Sequence, residues 1–412
     1  MISISDAQQV ILQNTSVLDE VEVPLQQALG MVISSDVYAP WDMPGADNSA
    51  MDGYAFSHGT LQENRLKVTG FLPAGIERTV PVAFGEAIRI MTGAPVPPGC
   101  DTIVPFEDVE LLDDVIRLKG TVRQGSHIRR KGENFRRGER IIASGAVIRP
   151  QEIGMLASLG RTSSPVYRAP RVAIIATGDE LVEAGATPVA ASKFNSNSYS
   201  IAAQIAETCA CSTILGIARD DMDSTRAKII KGLQSDMIIT SGGVSVGERD
   251  YVKEVIQELG GEIVFWKVNM KPGKPFAFAL LNGKAIFALP GNPVAAMVAF
   301  EQFVRPALLK MMGHTRILKP VIKAIVTEPF GNKGDRPQLV LSRITVNDGA
   351  YCVAAGADQN SGNLAVMVEA NGIIELAPGE MITPGTQVDV MPLDTSFEMR
   401  PLCHRSTSTD ER

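Results

Sequence analysis

The feature that most constrains the fold is a strand–loop–helix rhythm between Pro170 and Gly313. Four mostly apolar runs, RVAIIA, STILGI, DMIIT and AIFAL, are each followed by a polar or glycine-rich loop and then by a segment with helical spacing of its apolar residues. Apolar strands that alternate with amphipathic helices form βαβ units around a parallel sheet buried on both faces. Residues 170–318 are therefore predicted to form a mostly parallel, three-layer α/β domain.

The sequence on either side of this domain has a different pattern of apolar residues, prolines and glycines. Short β-like runs broken by proline and glycine, such as LKVTGF and AIRIM, predict a β-rich inserted domain over residues 41–140. Similar runs, including PVIKAIV and QLVLSRI, predict a C-terminal β-barrel-like domain over residues 319–393. Residues 1–40 and 141–169 are predicted to form a helical linking domain, with helices at DAQQVILQN, LQQALGMVI and PQEIGMLASLG. The tail, residues 394–412, has little to bury and is expected to be disordered. The fold class is thus α/β plus β, in several domains.

Composition excludes several classes of protein. With 412 residues, 45% hydrophobic and 21% charged, the chain has the balance of a multidomain globular protein. A net charge of −7 argues against binding of nucleic acid through bulk electrostatics, but it leaves room for a small anion in a local basic pocket. The sequence shows no signal-peptide pattern, and it has no apolar run of roughly 18 residues, the length that a membrane-spanning helix needs. Five scattered cysteines without a Cys-x-x-Cys pair suit reduced thiols, so we expect a cytoplasmic protein.

Four loops are expected to meet at one edge of the predicted sheet. The segments TGDE, RDD, SGGVSVGERD and PGNP each follow a strand, and the carboxyl ends of parallel strands lie at the same edge, where ligands of open α/β sheets bind. Each loop alone is more often a simple turn. Their coincidence at one edge predicts a binding site, which the segment KPGKP is a candidate to join.

The glycine-rich loop SGGVSVGERD can hold an anion. Gly242 and Gly243 allow backbone N–H groups to approach a ligand closely, and the hydroxyls of Ser241 and Ser245 can donate hydrogen bonds to it. The loop is not a P-loop, because Gly-Lys-Ser/Thr is absent. Asp250, at the start of the next helix, is either a functional carboxylate or a helix N-cap.

Carboxylates and lysines in these loops suggest two kinds of ligand. Asp220, which with Asp221 also has a helix-cap alternative, could join Asp250 and phosphate oxygens in a Mg²⁺ site. Lys271 and Lys274 lie on a stretch stiffened by prolines and suit a compact dianion better than a planar carboxylate. The alternative for the lysines is a solvated loop.

The β-rich region contains further candidates. The segment MPGADNSAMDGYAF crowds polar residues, among them Asp52, between small ones, as a binding loop does. In RIMTGAPVP, Thr92 stands beside Gly93 at a strand exit. The segment IRRKGENFRRGER carries six basic residues in thirteen and is interpreted as an exposed basic hairpin.

Six segments, in content and in order, resemble the molybdopterin molybdenumtransferase family, which includes MoeA and the E domain of gephyrin. They are DNSAMDGYA, RIMTGAPVP, TGDEL, SGGVSVGERDY, KPGKP and LPGNPV, and the similarity extends from near the N-terminus to about Pro392. The resemblance implies an elongated homodimer of four-domain subunits. Its active site would lie between subunits, with the α/β domain on one side and the partner's β-rich domain on the other.

The resemblance also implies a reaction and a set of site residues. Molybdate would be inserted into the dithiolene of adenylylated molybdopterin with release of AMP, and a divalent cation such as Mg²⁺ would be required. Positions matching functional residues of the family are Asp52, Thr92, Glu180, Asp220 and Asp250, and those matching its molybdate pocket are Lys271, Lys274 and Pro275. The loop with Ser241, Gly242, Gly243 and Ser245 would hold the pterin and phosphate end, with Asp220 and Asp250 at the metal.

The chain departs from the family pattern at three positions. Asn134 stands where the family usually has aspartate, and Ala295 where serine is common. Leu341 replaces a usual arginine, for which Arg343 is the candidate substitute. Asn134 loses a negative charge, and the other two changes thin the anion pocket. Two alternatives stay open: a scaffold or regulatory paralogue that binds a partner peptide, which these changes support, and a molybdopterin adenylyltransferase, whose enzymes share a similar α/β domain. Proteins of molybdopterin synthesis and molybdoenzyme maturation are the expected partners.

Overall fold

The computed structural model describes residues 1–187, 192–244, 251–356 and 358–398. The chain divides into two compact units. The first unit comprises Met1–Ser34, Val147–Ile153 and the chain from Ser163 onward, and the second comprises Ser35–Ala146 and Gly154–Thr162. The finer division into four domains stays a prediction.

The N-terminal segment contains one helix rather than two. Helix α1 (Ile4–Gln13) is capped by Ser3, whose hydroxyl accepts a hydrogen bond from the Asp6 N–H, and strand β1 (Glu20–Pro24) follows it. The second helix predicted at LQQALGMVI is wrong, because only a single 3₁₀ turn forms there, at Leu25–Gln27.

Strand pairing explains the missing helix. Gly30 has φ of +79°, which ends helical geometry, and Val32 and Ile33 then run extended. Val32 forms a β-bridge with Val147, and Ile33 forms one with Val166. Both β-branched side chains are fully buried, so tertiary pairing outweighs the local helical pattern.

The second unit is built on a six-stranded sheet, as the β-rich prediction requires. The strands of this unit, in the sheet and in two smaller ladders, are β2 (Val37–Tyr38), β3 (Asn48–Ser49), β4 (Gly53–Phe56), β5 (Arg65–Leu72), β6 (Glu86–Ile90), β7 (Thr102–Pro105), β8 (Val109–Leu112), β9 (Val115–Leu118), β10 (Ile128–Arg129) and β11 (Arg140–Ile142). The sheet order is β7-β4-β6-β5-β9-β8, and β10 pairs with β3 and β11 with β2. Tyr54 and Phe56 pack into one buried cluster and Ala55 into another, so both sheet faces are covered.

The chain then returns through α2 (Pro150–Ser158), which was predicted, and β12 (Ser163–Tyr167). Strand β12 pairs antiparallel with β1. This two-stranded ladder leads into the α/β sheet.

The α/β sheet confirms the predicted alternation of strands and helices. Its elements are β13 (Arg171–Thr177), β14 (Leu181–Val182), β15 (Lys193–Phe194), α3 (Asn197–Glu207), β16 (Cys211–Ala218), α4 (Met222–Gly232), β17 (Met237–Ser241), α5 (Tyr251–Glu258), β18 (Glu262–Trp266), β19 (Ala277–Leu281), β20 (Lys284–Leu289), α6 (Pro293–Ala299) and α7 (Arg305–Met311), with a π-helical turn at Phe300–Val304. The main sheet has the order β16-β13-β17-β20-β19-β18. Strands β16, β13, β17 and β20 are parallel, and β19 pairs antiparallel with both β20 and β18, so β19 alone in this sheet runs in the opposite direction.

Successive residues of the central strand enter opposite layers. Val172 and Ile174 of β13 belong to the cluster that contains α3, α6 and α7, and Ala173 and Ile175 belong to the cluster that contains α4 and α5. This alternation follows from the two-residue period of a strand. The three-layer prediction is confirmed.

Strands β18 and β19 are not among the strands predicted from the four apolar runs. The alternation in FAFAL is the signal that could have identified β19. Phe276 and Phe278 pack against Phe287 of β20 with ring centroids 6.3 and 5.1 Å apart. The hairpin therefore holds KPGKP between two sheet strands.

The C-terminal region confirms the predicted barrel. Its elements are β21 (Ile322–Val326), β22 (Phe330–Gly331), β23 (Gln338–Asn347), β24 (Ala350–Ala355), α8 (Ala365–Glu369), β25 (Gly372–Leu376), β26 (Met381–Ile382) and β27 (Gln387–Pro392). Strands β21, β24, β23, β25 and β27 close a barrel, and β22 pairs with β26. A 3₁₀ turn at Ser396–Glu398 follows, with Phe397 packed edge-on against Tyr351, so ordered chain extends past residue 394, where the tail was predicted to begin. No helix in the described ranges is long and apolar enough to cross a membrane.

A forked ion pair ties the start of β13 to the start of β17. Asp236 accepts hydrogen bonds from both terminal nitrogens of Arg168, at 2.7 and 3.0 Å, and from the Arg171 N–H at 2.7 Å. Burial raises the pKa of Asp236, but the guanidinium and the N–H lower it by more, so its pKa lies below the ordinary value. A lowered pKa stabilises the fold above the unfolded-state pKa, and that contribution is lost as the pH falls through the folded-state pKa.

We expect Asp236→Asn to lower the free energy of unfolding at pH 7 by about 1–2 kcal/mol, since it weakens hydrogen bonds to a charged group. The difference from the unmodified protein should shrink as the pH falls to about 4 and below. Urea denaturation across that pH range measures it. Asp389→Asn is the matched control, because Asp389 makes only an exposed ion pair with Lys323 and should change stability by less than about 0.5 kcal/mol. Equal effects of the two variants would contradict the prediction.

Candidate active site

A cavity of about 910 Å³ opens at the carboxyl ends of β13 and β17. The chain continues from β13 to β16 on one side of the sheet and from β17 to β20 on the other, which makes this a topological switch point. Residues of TGDE, RDD, SGG, KPGKP and PGNP all line the cavity. The predicted meeting of these loops at one edge is observed, and the whole lining belongs to the first unit.

The glycine loop after β17 has no room for a side chain. Gly242 has φ of +91°, and a Cβ atom there would lie 2.7 Å from the Thr177 hydroxyl oxygen and 2.9 Å from the Thr177 carbonyl oxygen. Gly243 has φ of +68° and also lines the cavity. Ser245 and Asp250, predicted as site residues in the same loop, lie outside the described residues.

Asn197 positions this loop and was missed in the sequence analysis. Its side-chain amide donates hydrogen bonds to the Ser241 hydroxyl at 2.7 Å and to the Gly291 carbonyl at 2.9 Å. One side chain at the start of α3 therefore joins the loops after β17 and β20. The polar run NSNS at residues 195–198, before a helix, was the available signal.

The two neighbouring aspartates after β16 have different structural roles. Asp221 caps α4, since its side chain accepts a hydrogen bond from the Ser224 N–H at 2.7 Å. Asp220 instead lines the cavity. The Asp220 and Asp179 N–H groups each donate to the other residue's carboxylate, at 3.1 and 3.3 Å, which holds the loops after β13 and β16 together.

Glu180 lines the cavity as well, so two carboxylates from the described residues face it. In the described part of the chain, no group of three or more His, Cys, Asp or Glu side chains is arranged to hold a metal ion. Carboxylates that leave most positions to water and substrate oxygens suit Mg²⁺ rather than a closed structural metal site. The donor set of Asp220 and Glu180 fits an ion of that kind, shared with a substrate.

The KPGKP backbone is fixed, which argues against the solvated-loop alternative. The Lys271 N–H donates to the Pro337 carbonyl at 2.9 Å, and the Leu339 N–H donates to the Lys271 carbonyl at 2.7 Å. The loop is thereby docked on the beginning of β23. Lys271, Lys274 and Pro275 all line the cavity.

The barrel supplies part of the lining, which the sequence did not indicate. Arg336, Gln338, Gln359 and Ser361 line the cavity, and the Asn292 side chain donates to the Ser361 hydroxyl at 3.1 Å. These residues are far from the α/β loops in sequence, so only the fold brings them together.

The structure locates Ala295 and Leu341, two of the residues that differ from the family pattern. Ala295 lines the cavity without a hydrogen-bonding side chain, and Leu341 is buried in the α/β core cluster with Leu339. Arg343, the expected substitute, is exposed and is absent from the lining, because β23 has by then passed the core. Arg336 is the arginine that reaches the cavity among the described residues.

The charges around the cavity favour an anionic ligand. Basic side chains in the described lining are Lys193, Lys271, Lys274 and Arg336, and the acidic ones are Glu180 and Asp220. Lysine and arginine side chains that line a cavity provide the positive electrostatic potential and the hydrogen-bond donors that bind a phosphate or another oxyanion.

Asp52 and Thr92 belong to the second unit and are brought together there. Asp52 accepts hydrogen bonds from both the N–H and the hydroxyl of Thr92, each at 2.7 Å. The Thr92 N–H, then its hydroxyl, hold the pKa of Asp52 below the ordinary value, so Asp52 is a carboxylate at neutral pH. Asn134 is in the same unit, with an exposed side chain and its N–H bonded to the Met43 carbonyl at 2.9 Å.

Family models match most of the chain. The MoeA N-terminal region (domain I and II) matches residues 2–160, the probable molybdopterin binding domain matches residues 173–310, and the MoeA C-terminal region (domain IV) matches residues 323–393.

Individual relatives match over almost their whole length. Molybdopterin molybdenumtransferase 2 of Mycobacterium tuberculosis is 34% identical, covering 95% of this chain and 100% of the relative. Molybdopterin molybdenumtransferase of Staphylococcus aureus is 32% identical, covering 95% of each chain. The crystal structure of the molybdopterin biosynthesis MoeA protein of Pyrococcus horikoshii has a TM-score of 0.82 and 28% identity, over 96% of this chain and 100% of that one.

Gly242→Ala should disrupt the glycine loop. We expect the free energy of unfolding to fall by about 3 kcal/mol or more, because the new methyl group would displace the Thr177 backbone in addition to the strain of positive φ. Gly283→Ala is the matched control: Gly283 has φ of +72° but open space around its Cα, so it should lose only about 1–2 kcal/mol. Denaturant unfolding of both variants measures the difference, and equal losses would show that the close approach to Thr177 does not matter.

Proposed function

Because the chain belongs to the MoeA family of molybdopterin molybdenumtransferases, we propose that its cavity inserts molybdate into adenylylated molybdopterin and releases AMP. The family membership confirms the resemblance drawn from the six sequence motifs. The protein is a transferase of molybdenum cofactor biosynthesis. The adenylylated substrate, the metal and the quaternary arrangement are the parts that we propose.

The observation that carries the proposal is the presence of paired lysines and two carboxylates in one cavity. Its volume of about 910 Å³ lies in the range of roughly 300–1,000 Å³ typical of small-molecule sites, so a pterin joined to a nucleotide is an appropriate size of ligand. An oxyanion and a phosphate ester need different partners. This lining offers fixed cations for the first and carboxylates suited to a bridging metal for the second.

Lys271 and Lys274 are assigned to molybdate. A strongly hydrated dianion enters a pocket only where charge-assisted hydrogen bonds replace its water. The docked KPGKP backbone, ending at Pro275, holds both lysines, and Arg336 adds a third cation from the barrel. Since Ala295 and Leu341 contribute no donor, these three side chains carry the positive charge of the proposed pocket.

The phosphate and pterin end is assigned to the loop after β17. The Gly242 N–H already donates to the Leu289 carbonyl, so Gly243 and the hydroxyls of Ser241 and Ser245 are the groups we assign to the ligand. Asp220 and Asp250 would hold Mg²⁺, with Glu180 beside them. A Mg²⁺ ion there would neutralise negative charge on the substrate's phosphate oxygens.

We propose that the second unit contributes residues to the active site of a partner subunit. Thr92 keeps the Asp52 carboxyl group ionised. Among the described residues of its own unit, none forms a salt bridge with Asp52 within 4.0 Å. We propose a cytoplasmic homodimer in which Asp52 and Thr92 of one subunit complete the cavity of the other.

A scaffold function is the second candidate, and one observation favours it: Ala295 and Leu341 put apolar side chains where the family pattern provides donors. The retained lysines and carboxylates favour the enzyme. A defined assay with adenylylated molybdopterin, Mg²⁺ and molybdate decides between them. We expect AMP release and molybdenum incorporation to rise together, whereas a scaffold would show neither. A companion reaction with ATP and molybdopterin tests the adenylyltransferase alternative, which would consume ATP without incorporating molybdenum.

Lys274→Ala should raise the molybdate concentration for half-maximal insertion by roughly one to two decades, since one charge-assisted contact is lost. Binding of adenylylated molybdopterin should change little. Lys274→Arg should recover only part of the loss, because a planar guanidinium fits a tetrahedral oxyanion less well. Lys231→Ala, on the exposed surface of α4, is the control and should match the unmodified enzyme. Unaltered molybdate dependence with weakened pterin binding would assign the lysines to the phosphates instead.

Two inactive variants should complement each other if the site is shared between subunits. Asp52→Ala and Asp220→Asn should each abolish AMP release as homodimers. After subunit exchange, a mixed dimer has one cavity with both carboxylates intact, so up to about half of the activity per mixed dimer should return. Exchange is verified by tagged subunits that copurify, and verified exchange without recovered activity would reject the shared site.

A further inference from the structure

One aromatic side chain in the cavity has no structural role that accounts for it. Phe194, at the end of β15, lines the cavity and is 47% exposed. Among the described lining residues it is the only aromatic one. It belongs to neither of the buried clusters on the two faces of the α/β sheet, and it makes none of the ring–ring contacts found in the described ranges.

The backbone around this ring is fixed on both sides. The Lys193 N–H donates to the Glu180 carbonyl and the Asn195 N–H to the Val182 carbonyl, each at 2.8 Å. Asn195 is 2% exposed, and its side chain donates to the Glu183 carboxylate at 3.2 Å and accepts from the Ser198 N–H at 3.3 Å. The ring is therefore presented to the cavity from a rigid support.

An exposed ring on a rigid support inside a cavity is a surface for another flat ring. Covering its apolar face releases water, and aromatic faces stack on nitrogen heterocycles with little conformational cost. Lys193, the preceding residue, also lines the cavity and adds a positive charge close to the ring. This combination suits a heteroaromatic group attached to an anion.

We propose that Phe194 stacks on a fused nitrogen heteroaromatic ring of the substrate. The identity of that ring as adenine or pterin rests on the proposed function, because adenylylated molybdopterin contains both. Adenine is favoured by position: the residue before Phe194 is hydrogen-bonded to the backbone of Glu180, which is assigned to the phosphate end. Phe194 would then select the nucleotide part of the substrate.

Equilibrium binding of three probes tests the proposal without turnover. AMP carries adenine, neopterin carries the pterin ring, and ribose 5-phosphate carries neither. We expect Phe194→Leu to weaken binding of a ring-bearing probe roughly 5- to 100-fold, the range of base–aromatic stacking, and to leave ribose 5-phosphate unchanged. Phe194→Trp should bind that probe at least as tightly as the unmodified protein. Tyr199→Leu is the matched control, since Tyr199 is 50% exposed on α3 and is not part of the lining.

The outcomes separate the two rings and the two proposals. A loss confined to AMP supports stacking on adenine, and a loss confined to neopterin supports stacking on the pterin. Unchanged binding of both by Phe194→Leu, an equal loss for ribose 5-phosphate, or no binding of either ring by the unmodified protein overturns the proposal. Ring-dependent binding in a protein that incorporates no molybdenum would reject the transferase reaction and leave the stacking role standing.

Discussion

Hydrogen bonding among the parallel strands β13, β17 and β20, with both sheet faces buried, sets the position of the loops that follow these strands around the cavity. Because Val172 and Ile174 enter one layer and Ala173 and Ile175 the other, a slip of one residue would exchange the two sets of side chains. The register is therefore strongly specified. With the register fixed, the loops after β13, β17 and β20 must leave from the same edge, and Asn197 joins two of them with a single amide. The binding site is a consequence of how the sheet is covered.

The sequence was sufficient where the signal is local. The four parallel α/β strands and their helices follow from apolar runs and helical spacing, and the adjacent glycines of the loop after β17 indicate the positive φ that Gly242 and Gly243 adopt. It failed where residues distant in the chain decide the outcome. The apolar run around Val32 pairs with strands instead of forming a helix, and the contribution of Arg336 depends on docking of β23 against Lys271. Asp220 and Asp221 were equivalent in sequence, and only the cap on α4 distinguishes them.

The charge of the whole chain and the charge of its cavity have opposite signs. The chain carries a net −7, whereas basic side chains outnumber acidic ones in the described lining. Charges more than roughly 8 Å apart are largely screened at physiological ionic strength, so nearby lysines govern an anion once it has entered. The net negative charge disfavours non-specific binding of polyanions. The two properties are compatible because they act over different distances.

The backbone ladder between Lys271 and β23 has a consequence for how this architecture can be divided. The Leu339 N–H donates to the Lys271 carbonyl, which joins the connection between β18 and β19 to the first residues of β23, so the KPGKP segment links the α/β sheet to the barrel. A chain ending before residue 319 would lose Leu339 and Leu341 from the core cluster of the α/β sheet as well as the support for the KPGKP backbone. The α/β sheet and the barrel are thus coupled through this segment, so a change in how β23 docks would reach the cavity lining directly at Lys271.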